Sequence, residues 1–174
     1  MAESFEYRPV DWVTAGAVGD PGERSFFIQA TSADGRVTLL VEKEQVRMLA
    51  QLAQELLARV DVTVTPDHLD ATGQKLREPV EPNWRAGSMS LGMESDGMQF
   101  VLEAQELVGE EEEERTPAVA RLWMSQEQLV ALAAHAAYAV EAGARERCRL
   151  CGRPIDPGDG HVCPATNGHG PLTL

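Results

Sequence analysis

Four residues near the carboxyl end of the chain carry the side chains best suited to chemistry. Cys148 and Cys151 are separated by two residues, a spacing that lets one tight turn direct both sulfur atoms to a single point. His161 and Cys163 follow and are separated by one residue. Three thiolates and one imidazole match the soft ligands and the coordination number of a structural tetrahedral zinc site. The sequence therefore predicts that this segment binds Zn²⁺.

The fourth ligand of the predicted zinc site has two candidates. His169 lies shortly after Cys163 and is also geometrically possible. We favour His161, which follows the turn at residues 157–160 and so closes a compact loop. Four protein ligands leave no coordination position for water, which favours a structural over a catalytic metal. A segment so rich in Gly and Pro has little core of its own, and a metal could supply about 10 kcal/mol or more of folding energy.

The same thiols permit a redox interpretation, because a Cys-x2-Cys pair can cycle between dithiol and disulfide. Such redox pairs begin a helix after a strand, whereas Cys148 follows a predicted helix and is joined by a His-x-Cys pair. The three cysteines are an odd number and do not indicate a disulfide framework. A thiol redox sensor therefore remains an alternative to zinc binding.

Composition restricts the class of protein that carries this segment. The 174 residues are 43% hydrophobic, enough for one domain with a core and an appendage. The net charge of −13 repels nucleic-acid phosphate and anionic lipid. The sequence has no apolar run long enough to span a bilayer and no secretory pattern at its start. We expect a cytoplasmic protein that binds neither nucleic acid nor membrane.

An internal duplication predicts the elements that position the site. Strand-like runs begin at Trp12 and at Trp84. Each is followed by two more apolar runs and then by an amphipathic segment that opens with Glu-Gln, at residues 44–45 in the first copy and 127–128 in the second. The second copy is longer because it contains an insertion of five consecutive glutamates, residues 110–114.

These patterns predict an α+β fold. The duplicated βββα unit is expected to form a mainly antiparallel six-stranded sheet with two helices on one face, related by a pseudo-twofold axis. The predicted helices span about residues 44–60 and 126–142, and Ser125 with Gln128 has the pattern of a capping box. The repeats occupy about residues 12–60 and 84–142, joined by a linker at 61–83. This domain, residues 1–144, precedes a small C-terminal zinc-binding tail, residues 145–174.

Three other features have simpler structural interpretations. His68 is a lone histidine in the linker and is predicted to be solvated. The glutamates at 110–114 lack the spacing and the glycine of a calcium loop and are predicted to form a solvated loop. Glu44 and Glu127 recur in both copies because acids in a first helical turn complement the helix dipole. No nucleotide-binding, serine-hydrolase or zinc-protease motif is present, so no catalytic residue is assigned.

The tail resembles that of an uncharacterised actinobacterial protein family, a domain of unknown function. The resemblance is carried by Cys-x2-Cys-Gly-x-Pro-Ile-Asp-Pro at 148–157 and Gly-His-x-Cys-Pro at 160–164, and it extends over nearly the whole chain from Phe5. In that family the residue after the Asn-Gly pair at 167–168 is commonly aromatic, so His169 departs from the pattern. The resemblance implies no activity.

Taken together, the sequence predicts a zinc-binding protein that acts as a protein-binding or adaptor module. An enzyme with a small-molecule site in the cleft between the two repeats is the alternative. A deep pocket with convergent polar side chains would favour that alternative, and a filled apolar seam would oppose it.

Overall fold

The computed structural model describes residues 2–20, 22–70, 75–109, 115–142, 148–151 and 163–164. In chain order the described elements are β1 (Phe5–Tyr7), β2 (Trp12–Val18), β3 (Ser25–Ser32), β4 (Gly35–Val41), α1 (Lys43–Ala58), a short 3-10 helix (Pro66–Asp70), β5 (Trp84–Met93), β6 (Gln99–Glu106), β7 (Val119–Ser125) and α2 (Gln126–Ala142). Three strands followed by a helix therefore occur twice in succession.

The sheet differs from the predicted one in strand number and in direction. It has seven strands in the order β1-β7-β6-β5-β4-β3-β2 and is mixed, because β1 runs parallel to β7 and β4 runs parallel to β5. The expectation of six strands was wrong because β1, a very short strand, cannot show an alternating pattern. The parallel β4–β5 pair joins the two halves, and its connection passes through α1 and the linker, as a parallel crossover requires.

Both helices begin within one residue of the predicted positions. α2 spans the expected residues, and its capping box is confirmed: the Ser125 amide donates to Gln128 Oε1 at 2.9 Å, and the Gln128 amide donates to Ser125 Oγ at 3.2 Å. α1 ends slightly before the predicted Val60. Asp61 adopts a left-handed conformation with φ 59°, and the amide of Val62 donates to Leu57 O at 3.0 Å, which closes the last turn.

The capping glutamines also connect the two halves. Gln45 Oε1 accepts the Glu42 amide at 2.8 Å, while its Nε2 donates to Gly87 O, on β5, at 3.1 Å. Gln128 Nε2 donates to Val10 O, just before β2, at 2.9 Å. Each helix start is thus bonded to the beginning of the other half.

One hydrophobic core lies between the helices and the alternate residues of the strands. Its members come from both halves and include Ile28 and Leu39 of the first half and Phe100 and Leu122 of the second, all fully buried. Residues 8–11 bring the ends of the sheet together, because the amide of Val10 donates to Trp123 O on β7 and that of Asp11 donates to Thr31 O on β3, both at 2.8 Å.

The linker between the two halves is held against the sheet by hydrogen bonds and side-chain packing. Residues 76–79 lie against the face of the sheet opposite the core. There the Arg77 amide donates to Gln29 Oε1 at 2.8 Å, and the Arg77 guanidinium stacks 4.1 Å from the centre of the Trp12 ring. Leu76 packs directly on Gly16, where a Cβ atom would come within 2.8 Å of Leu76 Cγ. None of the helices in the described part of the chain combines the length and apolar character needed to cross a membrane.

Candidate metal centre

The three cysteines converge on one point although Cys163 is well separated in sequence from the other two. The sulfur atoms of Cys148, Cys151 and Cys163 all lie within 4.8 Å of one another. Cys148 and Cys163 are buried and Cys151 is half-buried. Within the described ranges, these thiols are the one group of three or more His, Cys, Asp or Glu side chains close enough to share a metal ion.

The spacing of the sulfur atoms fits a shared tetrahedral ion. The Sγ atoms of Cys148 and Cys163 are 3.6 Å apart. A disulfide requires about 2.05 Å, so these two thiols are not bonded to each other. Two thiolates bound to one tetrahedral Zn²⁺ at about 2.3 Å each would be separated by about 3.8 Å. The three cysteines could therefore hold a metal ion with little rearrangement.

Backbone amides prepare Cys148 for the thiolate form. The amides of Cys151 and Leu150 donate hydrogen bonds to the Cys148 sulfur and hold its pKa below the ordinary value, against the opposing effect of burial. The turn at residues 149–151 brings these amides to the sulfur. These backbone amides stabilise the negative charge that a metal-binding thiolate must carry. Side-chain motifs in the sequence do not reveal them.

The cysteine cluster is separate from the main core. Buried Cys148 and Cys163 form a small cluster with half-buried Cys151 packed against them, and none of the three belongs to the core of the sheet and helices. Leu150 is 63% exposed beside the cluster. Among the described residues of this segment, the cysteines are the ones that pack together, so a metal held by them would add directly to its stability.

The predicted fourth ligands, His161 and His169, lie outside the described residues, as does most of the tail at 145–174.

The two described histidines do not join the thiols. His68 lies in the short 3-10 helix, where its Nδ1 accepts the Thr65 amide at 2.9 Å. His135 lies on α2, and burial lowers the pKa of its imidazole. His68 is half-buried and bonded locally rather than fully solvated.

The other sequence candidates show no chemistry of their own. Glu44 and Glu127 lie in the first turns of α1 and α2, and Glu44 forms an ion pair with Arg47. The glutamates at 110–114 lie outside the described residues.

One of the cavities at the junction between the two halves is an apolar groove. A cavity of about 260 Å³ lies between α1 and β5 and is lined mainly by apolar side chains, including Met48, Leu52 and Leu91. Its described lining contains serine and glutamine but no titratable side chain. This cavity therefore offers no general acid or base.

Comparison with protein families now places the chain. The sequence profile of a family described as a protein of unknown function (DUF3090) matches residues 5–163. The chain belongs to the DUF3090 family. The match covers the sheet, both helices and all three cysteines, and it ends at Cys163, before His169. Comparisons with curated proteins and with solved structures gave no match. Membership in DUF3090 thus agrees with a domain of unknown function and identifies neither an organism nor a metal.

Proposed function

We propose that the chain binds one Zn²⁺ through Cys148, Cys151, Cys163 and a histidine, and that the metal folds the tail of a protein-binding module. The observation that carries this proposal is the convergence of three sulfur atoms within 4.8 Å. His161 is the proposed fourth ligand, and His169 is the alternative. Three thiolates favour Zn²⁺ over Mg²⁺ or Ca²⁺, which prefer oxygen ligands.

The module's role is proposed to be recognition rather than catalysis. A site closed by four protein ligands has no position for a reacting water molecule. The proposed partner is a protein of unknown identity, since a surface with net charge −13 disfavours nucleic acid and anionic lipid.

Thiolate ligands persist best in a reducing compartment, so the proposal places the chain in the cytoplasm. The proposed source is an actinobacterium, because the strong excess of Arg over Lys is typical of a high-GC genome.

Elemental mass spectrometry on untagged, full-length protein tests the metal site. We expect one zinc per chain, its loss in Cys148→Ser, and its loss in His161→Ala. The matched variant His169→Ala should keep the metal. Loss in His169→Ala but not in His161→Ala would assign the other histidine. Metal-free protein with three freely titratable thiols would contradict the site altogether.

Affinity capture with the intact chain tests the recognition role. The zinc-loaded protein should recover a specific partner, and Cys148→Ser should recover less of it because the tail is no longer folded. The absence of any specific partner, together with turnover of a metabolite by the purified protein, would instead support the enzyme alternative.

A thiol redox sensor remains the second candidate, favoured by the lowered pKa of Cys148 and by the half-exposure of Cys151. The two functions predict different reactivity. Thiols of a redox sensor should react rapidly with a thiol reagent in the native protein. Zinc-bound thiolates should react slowly until a chelator is added.

A further inference from the structure

A polar cavity of about 360 Å³ lies at the end of β4, remote in sequence from the cysteines. Its lining comes from four segments: the turn before β3, the start of β3, the β4–α1 junction and β5. Three basic side chains line it, Arg24, Lys43 and Arg85, and its one described carboxylate is Glu42. Such a concentration of positive charge is unusual in a chain with 28 acidic and 15 basic residues.

Two of these cations have no acidic partner within the described ranges. Arg85 forms an ion pair with Glu42, which uses the carboxylate of the cavity. Arg24 is half-buried, and its Nε donates to the carbonyl of Gly19 at 3.1 Å, a neutral acceptor. Lys43 is half-buried, and its side-chain ammonium group has no hydrogen bond or ion pair with the described part of the chain. The cavity thus carries two positive charges that the described carboxylates do not compensate.

The fold itself does not require these cations. When the two copies of the duplication are aligned, Arg24 corresponds to Met98 and Lys43 corresponds to Gln126, which are both neutral. The equivalent position in the second half also has a cavity, of about 490 Å³, and its described lining includes Asp96 and Glu127 but no basic side chain. Because both halves form the same elements, the basic residues of the first half are not needed to build them.

We propose that the cavity bounded by Arg24, Lys43 and Arg85 binds the phosphate group of a small phosphomonoester. Two uncompensated cations match the double charge of a phosphate better than the single charge of a carboxylate. Guanidinium and ammonium groups both bind phosphate oxygens through charge-assisted hydrogen bonds. The hydroxyl of Ser25 adds a neutral donor, and the half-buried Leu40 provides apolar surface for the organic group. This site does not depend on the proposed metal.

Calorimetric titration of the full-length protein with inorganic phosphate and with phenyl phosphate tests this proposal, in phosphate-free buffer at constant ionic strength. We expect saturable binding of both, with phenyl phosphate at least as tight. Lys43→Gln and Arg24→Gln should each weaken binding by about tenfold or more, since each removes a charged donor. Because the two variants lie in different segments, either one that folds is sufficient.

The matched control is Lys75→Gln, which removes the same charge from a residue that does not line this cavity. Binding by this control should equal that of the unaltered chain. Absence of saturable binding would overturn the proposal. An equal loss in Lys75→Gln would also overturn it by showing nonspecific attraction. Binding of inorganic phosphate without binding of phenyl phosphate would exclude a phosphomonoester as the ligand.

Discussion

The side-chain amide of Gln29 joins the sheet to the linker, because both its nitrogen and its oxygen form hydrogen bonds. It lies on β3 and is completely buried. Its Nε2 donates to Thr38 Oγ1 at 3.1 Å and to Arg77 O at 3.0 Å, and its Oε1 accepts the Arg77 amide. The sequence predicts a strand here from the apolar residues that flank Gln29. It could not predict the role of this amide, because the partner is distant in sequence and lies in a segment without a periodic pattern.

Gln29→Leu should lower the free energy of unfolding by about 1–3 kcal/mol. The replacement has similar volume but removes the acceptor of the Arg77 amide, while the Arg77 carbonyl keeps the hydrogen bond from the Arg36 guanidinium at 3.3 Å. Urea denaturation followed by tryptophan fluorescence measures the change. Gln105→Leu is the matched control, because Gln105 is exposed on β6. Equal midpoints for the two variants would show that the contact between Gln29 and the linker contributes nothing to stability.

At the scale of elements, periodicity and capping signals predict most of what the structure contains. The helices, six of the seven strands and the Ser125–Gln128 cap follow from local pattern, because each depends on residues close together in sequence. Strand β1 and the parallel β4–β5 contact do not, since they depend on pairing between distant segments. The convergence of the three cysteines was predictable from their spacing, whereas the backbone amides beside the Cys148 sulfur could not be predicted without the three-dimensional structure.

The β6–β7 connection is closed by an ion pair that no local pattern indicates. Glu106, at the end of β6, accepts two hydrogen bonds from the Arg115 guanidinium, both at 2.8 Å, and one from the Ala118 amide at 3.0 Å. The bonds from Arg115 and Ala118 hold the pKa of Glu106 below its ordinary value, against the effect of burial. The ends of the insertion are therefore joined independently of its five glutamates.

Glu106→Gln should destabilise the protein at neutral pH by about 1.5–3 kcal/mol, as expected for loss of charged hydrogen bonds. Because the folded pKa is lowered, this stabilisation is complete above the unfolded value of about 4.3 and is lost as the pH falls toward the folded pKa. The variant should therefore lose less stability than the unaltered chain on acidification.

Denaturation midpoints measured from about pH 7 to about pH 3, a range that spans the unfolded carboxyl pKa, check this expectation. Glu103→Gln is the control, because it removes an exposed ion pair with Arg121 on the neighbouring strand and should change little. Parallel pH profiles for Glu106→Gln and the unaltered chain would contradict the role assigned to Glu106.

At the scale of the whole molecule, two buried clusters are present and they share no described residue. One contains the sheet and helices of both halves, and the other contains the cysteines. The long-range hydrogen bonds from residues 8–11, from the linker and from the capping glutamines connect segments of the sheet-and-helix domain and do not involve the cysteines. On this arrangement, removal of a metal should disturb the tail and leave the domain folded.

Hydrogen–deuterium exchange with and without a chelator measures this separation. We expect faster exchange at residues 148–151 after chelation and unchanged exchange in β3 and β6. Cys148→Ser should reproduce the chelated pattern without any chelator. Faster exchange throughout the sheet would show instead that the metal supports the entire fold.

The two glutamine contacts between the halves also bear on how this chain could have arisen. In each half the first turn of the helix donates to a carbonyl at the start of the other half, through Gln45 and Gln128. A polypeptide with a single unit would leave that amide without its acceptor, and two such polypeptides could satisfy both contacts at once by pairing about a twofold axis. A symmetric homodimer of short chains is therefore the simplest ancestor. Duplication and fusion of its gene would have let one cavity acquire basic residues while its twin acquired acidic ones.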